Sequence, residues 1–231
     1  MIRLNEIKSY IKVILGKEYP FKCEIQLNKI WAGNHYGGFY VCPDYLDSQS
    51  VVYSFGIGED ISFDKHLIDA YDCTVHGFDP TPSSIKWINL YTTPDKFIFH
   101  DYGIDTVNGV KTFFLPKNED FVSASIYQTN KLKTKGIKVK MQNLETICSE
   151  LKHNSIDVLK MDIEGSEYDI IPYLLNMNLP IDQLLIEFHH RFFEDGFSKM
   201  KEVLTMLKNN GYKIFGVSDS MQEISFIKNN K

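Results

Sequence analysis

The chain has 231 residues, enough for one large domain with a substantial core, and its 43% hydrophobic and 24% charged residues are ordinary for a globular protein. A formal net charge of −5 with no long basic block argues against a nucleic-acid partner. The four cysteines, Cys23, Cys42, Cys73 and Cys148, are scattered without a C-x-x-C pair, which points to reduced thiols in a cytoplasmic protein rather than to a zinc site.

The opening segment, MIRLNEIKSYIKVILGKEYPFK, places Ile2, Ile7, Tyr10, Ile11, Ile14 and Leu15 at helical spacing. Arg3, Glu6, Lys8 and Lys12 interrupt it, so it reads as a helical arm rather than a signal peptide. Such an arm packs on the domain or on a second subunit, making a homo-oligomer possible. No run approaches the ~18 apolar residues of a membrane-spanning helix, so no membrane insertion is expected. Residues 1–48 are assigned to the arm and a pre-core segment, and 49–231 to the main domain.

From residue 50 onward short apolar runs alternate with amphipathic segments. VVYSFG is followed by FDKHLIDAY, CTVHGFD by PSSIKWINLY, and then KFIFHDYG. IKVKM precedes NLETICSELK, IDVLKMD precedes SEYDIIPYLLNM, and DQLLIEFHH precedes FSKMKEVLTMLKNNG. This alternation predicts an α/β fold, a doubly wound and mostly parallel sheet. The last two runs, YKIFGVS and EISFIKN, are joined by only DSMQ, too short for a parallel crossover, so the final strand must be antiparallel. Residues 104–140 break the pattern: Asn108-Gly109 signals a tight hairpin, and the polar stretch after it reads as an insertion near the cleft, a lid or a surface excursion.

In VVYSFGIGED the first strand runs into Gly56 and Gly58, where an open α/β sheet receives a ligand. Ile61 stands where a dinucleotide fingerprint needs its third glycine. VHGFDP ends the second strand in Asp79, an acid placed either to accept ribose hydroxyls or to cap the helix that follows Pro80. His100, Asp101 and Tyr102 end the third strand, beside the place of a purine.

VVYSFGIGEDISFD, HGFDPTP, VLKMDIEGSEYDII and QLLIEFHHRF together resemble the S-adenosylmethionine-dependent methyltransferases of the FkbM type. The segment Lys160–Glu167, KMDIEGSE, is the most specific of these, and the match extends over roughly 33 to 227. The resemblance implies a class I methyltransferase, Rossmann-like, fold with an antiparallel C-terminal strand. It also implies S-adenosyl-L-methionine as cofactor and methyl transfer to a hydroxyl of a sugar, nucleotide-linked or from a bacterial surface polysaccharide such as capsule. The abundance of lysine, asparagine and isoleucine suits an AT-rich bacterial genome. The expected cofactor contacts are Ser54, Phe55, Gly56, Ile57, Gly58, Asp79, Pro80, Asp101, Tyr102 and Asp162. Ser54 stands where many class I enzymes carry an acid, a task Glu59, Asp60 or Asp162 could take over.

Asp162, Glu164 and Glu167 follow the fourth strand, and Glu187, His189, His190 and Arg191 the fifth, all toward one cleft. A sugar hydroxyl needs a base; His189 is the first choice and His190 the second, with Asp162 and Glu187 in the same catalytic cluster. Asp162 with Glu187 or His189 could alternatively hold Mg²⁺ or Mn²⁺. Glu164, Arg191 and Tyr127 are the candidate acceptor contacts. Lys131, Lys133 and Lys135 could meet a phosphate, and Trp31 could stack on a sugar. A nicotinamide-dependent oxidoreductase and a non-catalytic binding module on the same fold are the competing readings.

Overall fold

The computed structural model describes residues 11–15, 18–116 and 132–229, with the side chains of 115, 116 and 132–135 excepted. Its centre is a seven-stranded sheet. In chain order the strands are β3 (Val51–Phe55), β4 (Thr74–Phe78), β5 (Phe97–His100), β9 (Ile156–Met161), β10 (Ile181–Glu187), β11 (Tyr212–Val217) and β12 (Glu223–Lys228). They lie in the order β5-β4-β3-β9-β10-β12-β11. The inner strands are continuous apolar runs because both of their faces are covered. Val52 sits opposite Val75 on one side and Val158 on the other, in parallel register. β12 alone is reversed, antiparallel to β10 and to β11, as the short DSMQ connection requires. This is the class I Rossmann-like arrangement. Strand order reverses between β3 and β9, so their carboxyl ends open the crevice that holds ligands in such sheets.

Three helices cover one face: α3 (Leu144–Leu151), α4 (Glu167–Asn176) and α5 (Gly196–Asn209), counted after α1 (Ser62–Tyr71) and α2 (Pro82–Leu90). Leu144, Ile147, Ile171, Leu174, Met200 and Val203 bury against Tyr53, Leu159 and Ile186. α1 and α2 cover only part of the other face. The remainder is covered by a ribbon of two three-residue strands, β1 (Ile30–Ala32) and β2 (Phe39–Val41), lying against β10, β11 and β12. Its Ala32, Phe39 and Val41 join Val52, Val75, Val158 and Leu185 in a second core. The ribbon is tied down by the buried amide of Gln183 on β10. The Gln183 Oε1 accepts from the Cys42 backbone N–H at 2.8 Å, and its Nε2 donates to the Cys42 carbonyl at 3.3 Å. The pre-core segment therefore shares the domain's core.

Of the arm, residues 11–14 are helical. Val13 packs on the core, and Ile11, Ile14 and Leu15 are exposed. The Cys23, Cys42, Cys73 and Cys148 thiols are free. No described helix is long and apolar enough to cross a membrane.

Residues 103–142 depart from the expected Asn-Gly hairpin. β6 (Gly103–Ile104), β7 (Gly109–Pro116) and β8 (Leu132–Gln142) form a separate sheet of order β6-β8-β7. Asn108-Gly109 therefore links two strands that do not pair, and the antiparallel pair is β7 with β8. Asn108 is used differently. Its Oδ1 accepts from Asn143 N and its Nδ2 donates to Thr146 Oγ1, which fixes this sheet to the start of α3.

Candidate active site

The turn after β3 is held by its neighbours at the switch point. Gly56 N donates to the Phe78 carbonyl at 3.0 Å, and Asp162 N to the Phe55 carbonyl at 3.0 Å. Gly56 has φ +81°, and a Cβ there would lie 1.7 Å from the Asp162 carbonyl oxygen. Only glycine lets β3 and β9 come this close. Gly58, φ +56°, has nothing within 4 Å of its Cβ position and looks into open cleft. Asp79 clamps the same turn: Oδ2 accepts from Gly58 N at 2.9 Å, while Oδ1 accepts from Thr81 N and from Thr81 Oγ1. Burial raises the Asp79 pKa, and these donors oppose the rise. The helix cap that Asp79 could have supplied belongs to Thr81, which accepts from Ser84 N. Asp79 is left as the acid at the rim of the cleft.

That cleft has a volume of about 260 Å³. Phe55, Gly56, Ile57, Gly58, Asp79, Pro80 and Asp162 line it, as expected of them, and so does Glu164. Ser54, Asp101 and Tyr102 do not. Ser54 is wholly buried beneath the turn, Asp101 is exposed, and Tyr102 is packed against Phe78 and His100, where burial pushes its hydroxyl up to about 12. Ile104, Phe113 and Met141 from the small sheet, together with Thr81 and Tyr36, take those places. Chain-order reasoning could not find Tyr36, Ile104, Phe113 and Met141, because they arrive from distant segments and carry no motif. Two half-buried glycines in the turn, a rim carboxylate and an apolar wall beyond it suit an adenosyl ligand with a charged tail, so the residues present fit S-adenosylmethionine.

Asp64 of α1 is buried beside Ser54, and burial raises it to about 6 although Lys160 pulls the other way. Lys160 is itself buried and donates to the Gly56 carbonyl at 3.2 Å. The motif lysine thus braces the glycine turn from below. Asp60 is engaged with Asn34 and Ser62, and Glu59 is exposed at the cleft.

A second, larger cleft of about 720 Å³ adjoins the first. The β1–β2 ribbon forms one wall with Trp31, Asn34, His35, Tyr36 and Tyr40. The β11–β12 turn forms the other with Ser218, Asp219, Ser220, Gln222 and Glu223. Tyr36 lines both clefts, and Glu187 lines the second.

His189 lines neither cleft but lies within 4 Å of Asp162 and Glu164, which line the first, and of Glu187, which lines the second. It is 8% exposed; its Nδ1 is 2.9 Å from Glu167 Oε1, and its Nε2 is 3.5 Å from Glu164, 3.8 Å from Asp162 and 3.8 Å from Glu187. Burial opposes charge on His189, but the carboxylates, Glu167 foremost, hold its pKa well above the ordinary histidine value. Burial, then Asp162, holds Glu187 well above the ordinary carboxyl value. The structure brings together Asp162, Glu164, Glu187 and His189, and it separates His190 and Arg191 from them. His190 is on a 3₁₀ turn, not a strand; its Nε2 lies 3.2 Å from the buried Glu18, which also pairs with Arg191. Neither lines a cleft: His190 is interior and Arg191 fastens the segment after the arm. Tyr127 and Lys131 lie outside the described residues, as do the side chains of Lys133 and Lys135.

Among solved structures the fold is similar to a Methanococcus jannaschii fibrillarin pre-rRNA processing protein, at 13% identity and TM-score 0.48 over 80% of this chain and 69% of that one. It is also similar to Aeropyrum pernix fibrillarin with natively bound S-adenosyl-L-methionine, at 10% identity and TM-score 0.43 over 79% and 66%. A Listeria monocytogenes protein described as an S-adenosylmethionine-dependent methyltransferase matches at 13% identity and TM-score 0.43, over 81% and 94%. No curated protein matches the chain. The methyltransferase FkbM domain matches residues 41–214, three quarters of the sequence, and takes the place of the nicotinamide-dependent alternative. The chain belongs to the FkbM-domain methyltransferase family, whose cofactor is S-adenosylmethionine.

Proposed function

We propose that this S-adenosylmethionine-dependent methyltransferase modifies a hydroxyl oxygen of a neutral sugar bound in the cleft between the β1–β2 ribbon and the β11–β12 turn. The observation that carries this reading is that the two clefts share Tyr36 and are bridged by His189, within 4 Å of Asp162 and Glu164 on the first and Glu187 on the second. The first cleft suits the cofactor, and the second presents what a sugar needs. Trp31, Tyr36 and Tyr40 offer aromatic surface to a ring face. Serine hydroxyls, Gln222 and the carboxylates of Asp219 and Glu223 offer partners to hydroxyl groups. Because Glu187, Asp219 and Glu223 on this lining outnumber its one lysine, Lys12, a neutral saccharide is favoured over a nucleotide-linked one.

The bound cofactor supplies a methyl group on a positively charged sulfur. The chain has to align the acceptor oxygen with that carbon at about 3–3.5 Å, exclude water and take one proton. Glu187 is placed to take it. Its carboxylate reaches the second cleft, whereas His189 has its Nδ1 on Glu167 and its Nε2 among carboxylates. With S-adenosylmethionine bound, the methyl group would come from its sulfonium to the acceptor oxygen, and the hydroxyl proton would pass to Glu187 and then to solvent. Cytoplasmic cofactor supply would suit this chemistry.

The test is transfer of labelled methyl from S-adenosylmethionine to a panel of neutral mono- and oligosaccharides and their nucleotide-linked counterparts. Expected is a base-stable methyl ether on a neutral saccharide. Label found only on nucleotide sugars, or as base-labile ester, would overturn the acceptor class; cofactor binding with no turnover on any acceptor would favour the binding-module alternative.

A further inference from the structure

We infer that Asp162, Glu164 and His189 form a site for one divalent, oxygen-preferring cation, Mn²⁺ or Mg²⁺, between the two clefts. One ligand oxygen from each carboxylate and one nitrogen of His189 lie within 4.8 Å of one another. Carboxylates often gather without an ion, so the histidine decides the matter. His189 is more than nine-tenths buried, and its Nε2 faces the carboxylates of Glu164, Asp162 and Glu187 at ion-pair distances. The nearest oxygen, Glu164 Oε2, is 3.5 Å away, and those of Asp162 and Glu187 are 3.8 Å away. A proton on Nε2 would draw one carboxylate to about 2.7–2.9 Å. An ion with ligand distances of about 2.1 Å instead holds its ligands roughly 3–4 Å apart. The observed spacing is the second kind.

The far side of the ring supports this. Nδ1 is 2.9 Å from Glu167 Oε1, an oxygen that also accepts from Ile163 N at 3.1 Å. A carboxylate so anchored keeps the proton on Nδ1 and leaves the Nε2 lone pair facing the cluster, the arrangement that orients metal-bound histidines. Among the described residues no lysine or arginine pairs with Asp162, Glu167 or Glu187, so a bound cation would balance these carboxylates. Two carboxylate oxygens and one imidazole select Mn²⁺ or Mg²⁺ over metals that favour thiolates. Three protein ligands leave positions open toward both clefts. Binding of the ion does not depend on the methyl-transfer reading; its part in holding the acceptor oxygen rests on it.

The experiment uses the full chain, stripped with chelator, gel-filtered and titrated with MnCl₂ without cofactor or acceptor. Electron paramagnetic resonance should show one Mn²⁺ bound per chain, displaced by excess Mg²⁺, with spin-echo modulation from one imidazole nitrogen. Glu164→Gln should weaken binding at least tenfold, and His189→Gln should remove the nitrogen modulation. Should His189→Gln fail to fold, ¹⁵N-histidine labelling of the unchanged chain reads the same nitrogen. Absence of stoichiometric Mn²⁺, or bound Mn²⁺ without nitrogen coupling, overturns the site. Mn²⁺ bound with imidazole nitrogen in a protein that methylates no saccharide upholds the site and counts against the acceptor proposal. Methylation by protein that binds no Mn²⁺ does the reverse.

Discussion

Single residues in this chain are set by what surrounds them more than by their type, and the histidines show it. His189 is ringed by carboxylates. His76, on β4, is buried among other rings: its Nδ1 lies 3.0 Å from His100 Nε2, and the His153 ring is 5.1 Å away. Burial, reinforced by His100 and His153, drives the His76 pKa down from 6.5 to about 4. The sign of the consequence is fixed by linkage. A depressed folded-state pKa means the native protein refuses a proton that the unfolded chain accepts, so stability is complete above pH 6.5 and falls as pH drops toward 4. Each tenfold loss of proton affinity on folding corresponds to ~1.4 kcal/mol, so His76 alone contributes a loss of about 3 kcal/mol across that window. Urea unfolding at pH 7 and pH 4.5 should show it, and His76→Phe should flatten the difference. An unchanged slope in the variant would assign the acid sensitivity elsewhere. Nothing in VHGFDP foretold this. The carboxylate of Asp79 in the same stretch was legible as a choice of two, a ribose contact or a helix cap, because it ends a strand before a helix; the place of His76 depends on neighbours 24 and 77 residues away.

At the scale of elements, strands of the central sheet could be read from sequence because two-sided burial leaves them apolar throughout. The reversed β12 could be read because a four-residue link has only one solution. The β1–β2 ribbon could not: three residues per strand are too few for an alternation to register. The role of Asn108 was missed for a different reason, since its amide is taken by Asn143 and Thr146 and the strand that pairs with β7 lies beyond a long intervening segment. What the ribbon does rests on one buried amide. Gln183→Leu keeps the volume but leaves the Cys42 N–H and carbonyl without partners inside the core. Each orphaned group costs about 1–3 kcal/mol, so the variant should be roughly 2–5 kcal/mol less stable in chemical unfolding. The ribbon's Trp31, Asn34, His35 and Tyr40 line only the second cleft, while Tyr36 also reaches the first. Gln183→Leu should therefore raise the acceptor KM severalfold and weaken S-adenosylhomocysteine by less; an equal loss of cofactor affinity would show that the ribbon supports both clefts alike.

At the scale of the molecule, the sheet divides the work at its switch point. β3, β4 and the small sheet enclose the cofactor cleft, the ribbon and the β11–β12 turn enclose the second, and residues following β9 and ending β10 stand between them. Such a division predicts separable defects. S-adenosylhomocysteine at ~100 times its dissociation constant stabilises a protein by about 2.7 kcal/mol. For a chain of this length that raises the melting midpoint by roughly 5–10 °C. Asp79→Ala, which removes the acceptor for Gly58 N and both Thr81 donors, should lose most of that rise. Trp31→Ala and Glu187→Gln should keep it. The two should then part in kinetics: Trp31→Ala removes ring surface and raises the acceptor KM, whereas Glu187→Gln removes the proton acceptor and lowers kcat by about 10²–10⁴. Glu187 lines only the second cleft, so a Glu187→Gln protein that no longer melted higher with S-adenosylhomocysteine would mean that the junction residues hold the cofactor as well, and the two clefts would have to be treated as one site.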